Sequence, residues 1–148
     1  MQFLLETAEE TEAFGAQLFY ALPHQCVIFL LGDLGAGKTT LVRGFMRAAG
    51  YKGAVKSPTY NIVEEYRLGK RLYFHFDLYR LVDPEELEWI GIGDYLQQQS
   101  ICFFEWPEKG EGYLGTADVV LSMTSMENGR KLVIEKLAEG IEISGCSG

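Results

Sequence analysis

The sequence predicts an α/β fold, a single domain whose mixed parallel and antiparallel sheet is flanked by helices. Three observations carry that expectation. The run Cys26-Val27-Ile28-Phe29-Leu30-Leu31 is apolar without alternation, as in a strand covered on both faces, and such strands belong to parallel sheets between helices. It passes directly into a glycine-rich stretch and then a helix-like pattern, which is half of a βαβ unit. Later, Gly69-Lys70 and Asn128-Gly129 each separate two strand-like runs, and both read as hairpins.

The elements follow in order. Phe3-Leu4-Leu5 forms a short first strand, and Thr7-Ala8-Glu9-Glu10 matches a capping box that opens a helix with Phe14, Leu18 and Leu22 on one face. Pro23 lies just beyond it. A second helix is expected from about Lys38 to Ala49, with Gly50 as its C-terminal cap. Residues 61–68 and 71–76 make the first hairpin. Asp83-Pro84-Glu85-Glu86 then opens a short helix reaching about Ile90, with proline at the first helical position and acids near the helix N-terminus. Residues 101–104 form another continuously apolar strand that ends at Glu105, and residues 119–123 and 130–137 form a second hairpin near the edge of the sheet.

Composition narrows the function. At 148 residues and 47% hydrophobic content, the chain fits one core, assigned to residues 1–143, with a Ser/Gly tail at 144–148 expected to be flexible. No stretch approaches the ~18 unbroken apolar residues of a membrane span, and the start lacks the form of a signal peptide, which points to a soluble cytoplasmic protein with no membrane role. Three cysteines without paired spacing, two of them (Cys26 and Cys102) inside apolar runs, fit reduced thiols. A net charge of −8 disfavours direct grip on nucleic acid, because phosphate neutralisation needs clustered Lys and Arg.

Gly32-Asp33-Leu34-Gly35-Ala36-Gly37-Lys38-Thr39 fits G-x-x-x-x-G-K-T in full, between a buried strand and a helix, the mark of a P-loop NTPase fold. The spacing has a physical cause. Consecutive backbone N–H groups must curl round phosphate oxygens, which side chains would obstruct, and the helix N-terminus behind them adds partial positive charge. Lys38 then reaches the β- and γ-phosphates, and the Thr39 hydroxyl is placed for Mg²⁺. Such a site needs further acids to anchor the metal and orient the attacking oxygen, and two end strands: Asp77 and Glu105. Either could hold the metal while the other orients water; spacing alone does not rank them.

Other residues carry two readings. Thr59, in Ser57-Pro58-Thr59-Tyr60, stands where a switch threonine senses the γ-phosphate, or simply in a proline turn. Arg80 and Arg130 are candidate phosphate contacts or solvated surface arginines. His75 is a candidate for catalysis, a half-buried strand histidine being the commoner fate, and Trp106 either stacks near the nucleotide or packs. Asp77 is followed by Leu78-Tyr79-Arg80 rather than x-x-G, and no N-K-x-D for guanine occurs, which favours ATP over GTP. The segment 83–100 has no arginine to form a kinase lid, so a small-molecule kinase is the weaker alternative, beside a nucleotide-sensing interaction module.

Taken together, G-D-L-G-A-G-K-T-T (Gly32 to Thr40), V-K-S-P-T-Y (Val55 to Tyr60), H-F-D-L-Y-R-L-x-D-P-E-E-L (His75 to Leu87), G-I-x-D-Y (Gly91 to Tyr95) and E-W-P (Glu105 to Pro107) resemble the TsaE (YjeE) family. That family is the ATPase component of the machinery that makes threonylcarbamoyladenosine in tRNA. The resemblance implies ATP and Mg²⁺ as ligands and a weak ATPase that depends on TsaD and TsaB type partners, resetting their complex, with tRNA reached only through them. Carried onto this chain, it implies that Gly32, Asp33, Leu34, Gly35, Ala36, Gly37, Lys38, Thr39 and Thr40 surround the phosphates and that Thr59 is a switch residue. It places Thr39, Asp77 and Glu105 at the metal, Trp106 beside that glutamate, and Thr11 near the nucleotide.

Overall fold

Residues 1–58 and 61–143 are described by a computed structural model. Twelve elements follow one another: β1 (Gln2–Leu5), α1 (Ala8–Ala21), β2 (Cys26–Leu31), α2 (Lys38–Ala49), β3 (Val63–Leu68), β4 (Arg71–Asp77), α3 (Glu86–Trp89), α4 (Ile92–Gln97), β5 (Ser100–Glu105), a 3₁₀ turn at Pro107–Gly110, β6 (Val119–Met126) and β7 (Gly129–Leu137). The strands form one seven-stranded sheet in the order β1-β7-β6-β2-β5-β4-β3. β2 runs parallel to β5 and β6, and β5 runs parallel to β4, while β3, β7 and β1 pair antiparallel at the flanks. The mixed sheet expected from the two hairpins is therefore present, with β1 closing the edge beyond the second one.

Strand alternation divides the interior into two cores. On one face Ile28, Leu30, Ile101 and Phe103 pack beneath Phe14 and Leu18 of α1 and Leu41, Phe45 and Met46 of α2. On the other, Phe74, Phe76, Cys102 and Phe104 pack with Leu87 of α3 and Ile92 of α4. Phe103 meets Phe45 edge-on at 4.9 Å, and Phe76 stacks on Phe104 at 4.5 Å. Every residue of β5 is buried, which explains its unbroken apolar run.

Local signals set most boundaries. Thr7 caps α1 by accepting from Glu10 N at 3.1 Å, while the Glu10 carboxylate accepts from Glu6 N, one residue before the partner a capping box would use. Gly50 ends α2 with φ 104°. The expected helix through Ile90 is shorter than its sequence suggests: Asp83 accepts from Glu85 N at 3.0 Å and holds a turn, so the regular helix begins only at Glu86. α4 and the 3₁₀ turn were not expected, because both are too short to show a helical period.

α1 and α2 touch backbone to backbone. A Cβ on Gly15 would collide with the Leu41 carbonyl, and one on Gly44 with the Glu12 carbonyl. Helix propensity alone would favour alanine at either site by up to about 1 kcal/mol, but overpacking costs about 1–3 kcal/mol and therefore wins. We expect Gly15→Ala and Gly44→Ala to lower the urea midpoint. Gly93→Ala, which meets nothing within 4 Å, is expected to leave it unchanged or raise it.

Candidate functional site

β2 ends at Leu31 at the carboxyl end of the parallel strands, and the loop 32–37 turns there into α2. Gly32 has φ 141° and lies so close to the Met123 carbonyl of β6 that a side chain would not fit. Gly37, at φ 101°, is the N-cap of α2 and provides no side-chain cap, so no hydroxyl or carboxylate of the cap claims the N–H groups of the first turn. Arg130, on β7, lies against Gly37: a Cβ there would sit 2.6 Å from its Cδ. The resulting cleft, about 270 Å³, is lined by Leu34, Gly35, Gly37, Lys38, Thr39, Thr40, Ser57, Glu105 and Arg130.

Lys38 is buried despite its charge. Its Nζ donates to the Gly32 carbonyl at 2.6 Å, lies 3.4 Å from Glu105 Oε1 and stands 5.0 Å over the Trp106 ring. At 3.4 Å the gross attraction between Lys38 and Glu105 is about 5 kcal/mol at an effective dielectric of 20. Desolvation costs several kcal/mol for each buried ion. The pair is thus a poor source of net stability, and its place at the floor of a cleft is better explained by chemistry.

Asp77 and Glu105 are register partners on β4 and β5, so the two acids that ended strands in the sequence end adjacent parallel strands. Their surroundings differ. Asp77 is half-buried, accepting from Ser57 Oγ at 3.2 Å and from Tyr79 N at 3.0 Å, and it lines a wider neighbouring cavity of about 540 Å³ with Arg80 and Glu86. Glu105 is buried, with Lys38 at one oxygen and His75 Nε2 2.5 Å from the other. Burial pushes the Glu105 carboxyl up, but the hydrogen bond and charge of His75, with Lys38, outweigh it and hold the group below its ordinary value.

The structure gathers most of the expected residues. Leu34, Gly35, Gly37, Lys38, Thr39, Thr40, Glu105 and Arg130 share the cleft, while Gly32, Asp33 and Trp106 line a smaller hollow beside it and Ala36 is buried in the loop. Trp106 packs against both Lys38 and Tyr79, with an αL backbone (φ 56°) rare for a bulky residue. Thr11 lies outside the cleft lining: it is fully buried in the first turn of α1, where its hydroxyl donates to the Thr7 carbonyl at 3.3 Å. Thr59 and the tail 144–148 lie outside the described residues. The half-buried fate expected for His75 is corrected, since the ring is fully buried and bonded to Glu105. Its position two residues before Asp77 on one strand, and so on the same face, was the signal available. Ser57, given no separate role in the sequence, is the hydroxyl partner of Asp77.

Fold and site together define an α/β protein of the P-loop nucleotide-binding type. A sequence model of the family described as "Threonylcarbamoyl adenosine biosynthesis protein TsaE" matches residues 5–132. The chain belongs to the TsaE family. It is 52% identical over 106 residues to a Haemophilus influenzae protein named "tRNA threonylcarbamoyladenosine biosynthesis protein TsaE", spanning 72% of this chain and 67% of that one. A Synechocystis protein of the same name is 44% identical over 113 residues, covering 74% and 71%. Among solved structures, Bacillus subtilis YdiB superposes with a TM-score of 0.76 at 27% identity, over 90% of this chain and 83% of that one. Among the described residues no helix is long and apolar enough to cross a membrane.

The depressed Glu105 carboxyl has a defined consequence for stability. A group whose folded pKa lies below its unfolded one stabilises above the unfolded value, here 4.5, and loses that contribution as pH falls through the folded value. In thermal scans without nucleotide, Glu105→Gln should be less stable than the wild type by about 1.5–3 kcal/mol at pH 7. The gap should narrow as pH falls below about 4.5. A gap that widens there would contradict the assigned charge state.

Proposed function

We propose that this chain is an ATP-binding and ATP-hydrolysing subunit of tRNA threonylcarbamoyladenosine biosynthesis, acting in the cytoplasm through nucleotide-dependent association with TsaD and TsaB type proteins. The observation that carries this reading is the buried Lys38, held between the loop carbonyl of Gly32 and the Glu105 carboxylate at the floor of the cleft. The names of the similar proteins supply the pathway.

The residues present fit a nucleoside triphosphate with Mg²⁺. The loop has positive φ at Gly32, Gly35 and Gly37, conformations that let amides turn toward an anion, and Arg130 Nε is buried beside Gly37 without a hydrogen-bond partner among the described residues. Lys38, Thr40 and Arg130 would hold phosphate oxygens. Thr39 with Glu105 or Asp77 would hold the metal; among the described residues no three His, Cys, Asp or Glu side chains converge, which suits a cation that takes one or two carboxylates plus phosphate. Bound Mg²⁺ supplies charge neutralisation across the transferring phosphoryl group. Glu105, kept ionised by its partners, can accept a hydrogen bond from a water molecule, and Asp77 is oriented for the same work by Ser57 and Tyr79 N. The net charge of −8 supports a division of labour in which partners hold the tRNA.

Isothermal titration with MgATP should give a single site that Lys38→Ala weakens by about 10- to 100-fold, the value of one charge-assisted hydrogen bond. In a reconstituted reaction with TsaD and TsaB type proteins, Lys38→Ala and Glu105→Ala should stop sustained formation of modified tRNA, with free phosphate as the product of ATP. Undiminished multiple turnover by either variant, or appearance of a phosphorylated small molecule, would refute the assignment.

A further inference from the structure

His75 has no exposed surface, lies on β4 and faces the same side of the sheet as Glu105. The carboxylate is held at both ends, with Oε1 3.4 Å from Lys38 Nζ and Oε2 2.5 Å from His75 Nε2. The other ring nitrogen, Nδ1, is buried and has no hydrogen-bond partner among the described residues. These facts place a proton on Nε2. An ionised carboxylate only accepts, so a bare Nε2 would set two lone pairs against each other at 2.5 Å, whereas a proton on Nε2 is donated to Oε2.

A purely packing role explains this residue badly. Phe103 stands beside the ring, and a phenylalanine or leucine at this position would pack there as well but would leave Glu105 Oε2 without its donor. Lys38 reaches Oε1, whereas His75, carried on β4 between β5 and β3, meets the other oxygen. We propose that His75 is a positioning residue: its ring donates Nε2–H to Glu105 Oε2 and so keeps Oε1 turned toward Lys38 and the cleft. This rests on the reading of Glu105 as an acid serving the metal site.

Two measurements on the full chain test it. With ¹⁵N-histidine labelling the spectrum contains only His24 and His75. His75 should show a proton on Nε2 that is slow to exchange and loses that protection in Glu105→Ala. An Nε2 without a proton, or an Nε2–H signal unaffected by Glu105→Ala, would overturn the proposal. Second, ADP affinity is titrated with and without Mg²⁺. His75→Leu should lose about 10- to 100-fold of the strengthening that Mg²⁺ gives, the usual penalty for removing a residue that orients a metal-binding carboxylate. Its affinity without Mg²⁺ should stay within about threefold of the wild type.

His75→Gln, which can place an amide N–H where Nε2 stood, should restore the Mg²⁺ effect. His75→Asn, whose shorter side chain cannot, should not. An unchanged Mg²⁺ effect in His75→Leu, or equal behaviour of the Gln and Asn variants, would overturn the positioning role, and the Gln and Asn pair decides the matter should the Leu variant fail to fold. A wild type that binds no nucleotide would instead defeat the proposed function, while the ring spectra still decide the hydrogen bond.

Discussion

A carboxylate buried between a lysine and a histidine organises this protein. Glu105 closes the most deeply covered strand of the sheet, and its two oxygens reach residues from two other elements, Lys38 at the start of α2 and His75 on β4. Such a group is tolerated in an apolar interior only when its charge and lone pairs are met. The register of β4 against β5 and the entry of β2 into the glycine loop must therefore both be correct for the site to exist. Leu30 pairs with Glu105, and Asp77 pairs with Glu105 on the other side, so a slip of one residue would turn the acid into the second core.

The helices secure the same arrangement from above. α2 presents Lys38 only if its N-terminus lies at the carboxyl end of β2, and its crossing with α1 fixes that placement through direct backbone contact at Gly15 and Gly44. Phe45, on the buried side of α2, is locked edge-on against Phe103 and Tyr73 on β5 and β4. Packing energy is thus spread over the apolar cores, while the charged trio contributes position more than stability. Arg130 shows a related economy of space: it can lie on the loop because Gly37 has no side chain.

Much of this was legible along the chain. The unbroken apolar runs 26–31 and 101–104 marked doubly covered strands, and the G-x-x-x-x-G-K-T spacing marked the anion loop between strand and helix. Thr7, Gly50 and the two glycine turns are local instructions, satisfied by atoms a few residues away, and such signals survive in sequence. α4 and the 3₁₀ turn left no such mark, since one or two helical turns have no period to detect; α4 packs into the second core through Ile92, and Gly110 of the turn lies against its Leu78 and Leu87. The late start of α3 escaped for a similar reason, with Asp83 holding a turn where a cap was expected.

The residue types at the cleft, the loop that carries them and the strands that end in Asp77 and Glu105 all follow from one-dimensional pattern, because each depends on neighbours within a turn or on strand alternation. Which acid is buried, that His75 rather than a solvent molecule meets Glu105, that Ser57 meets Asp77 and that Arg130 rests on Gly37 depend on segments 20 or more residues apart. Those pairings are set by sheet order and helix crossing, which arise when the whole chain collapses on two cores, and no local stretch encodes them.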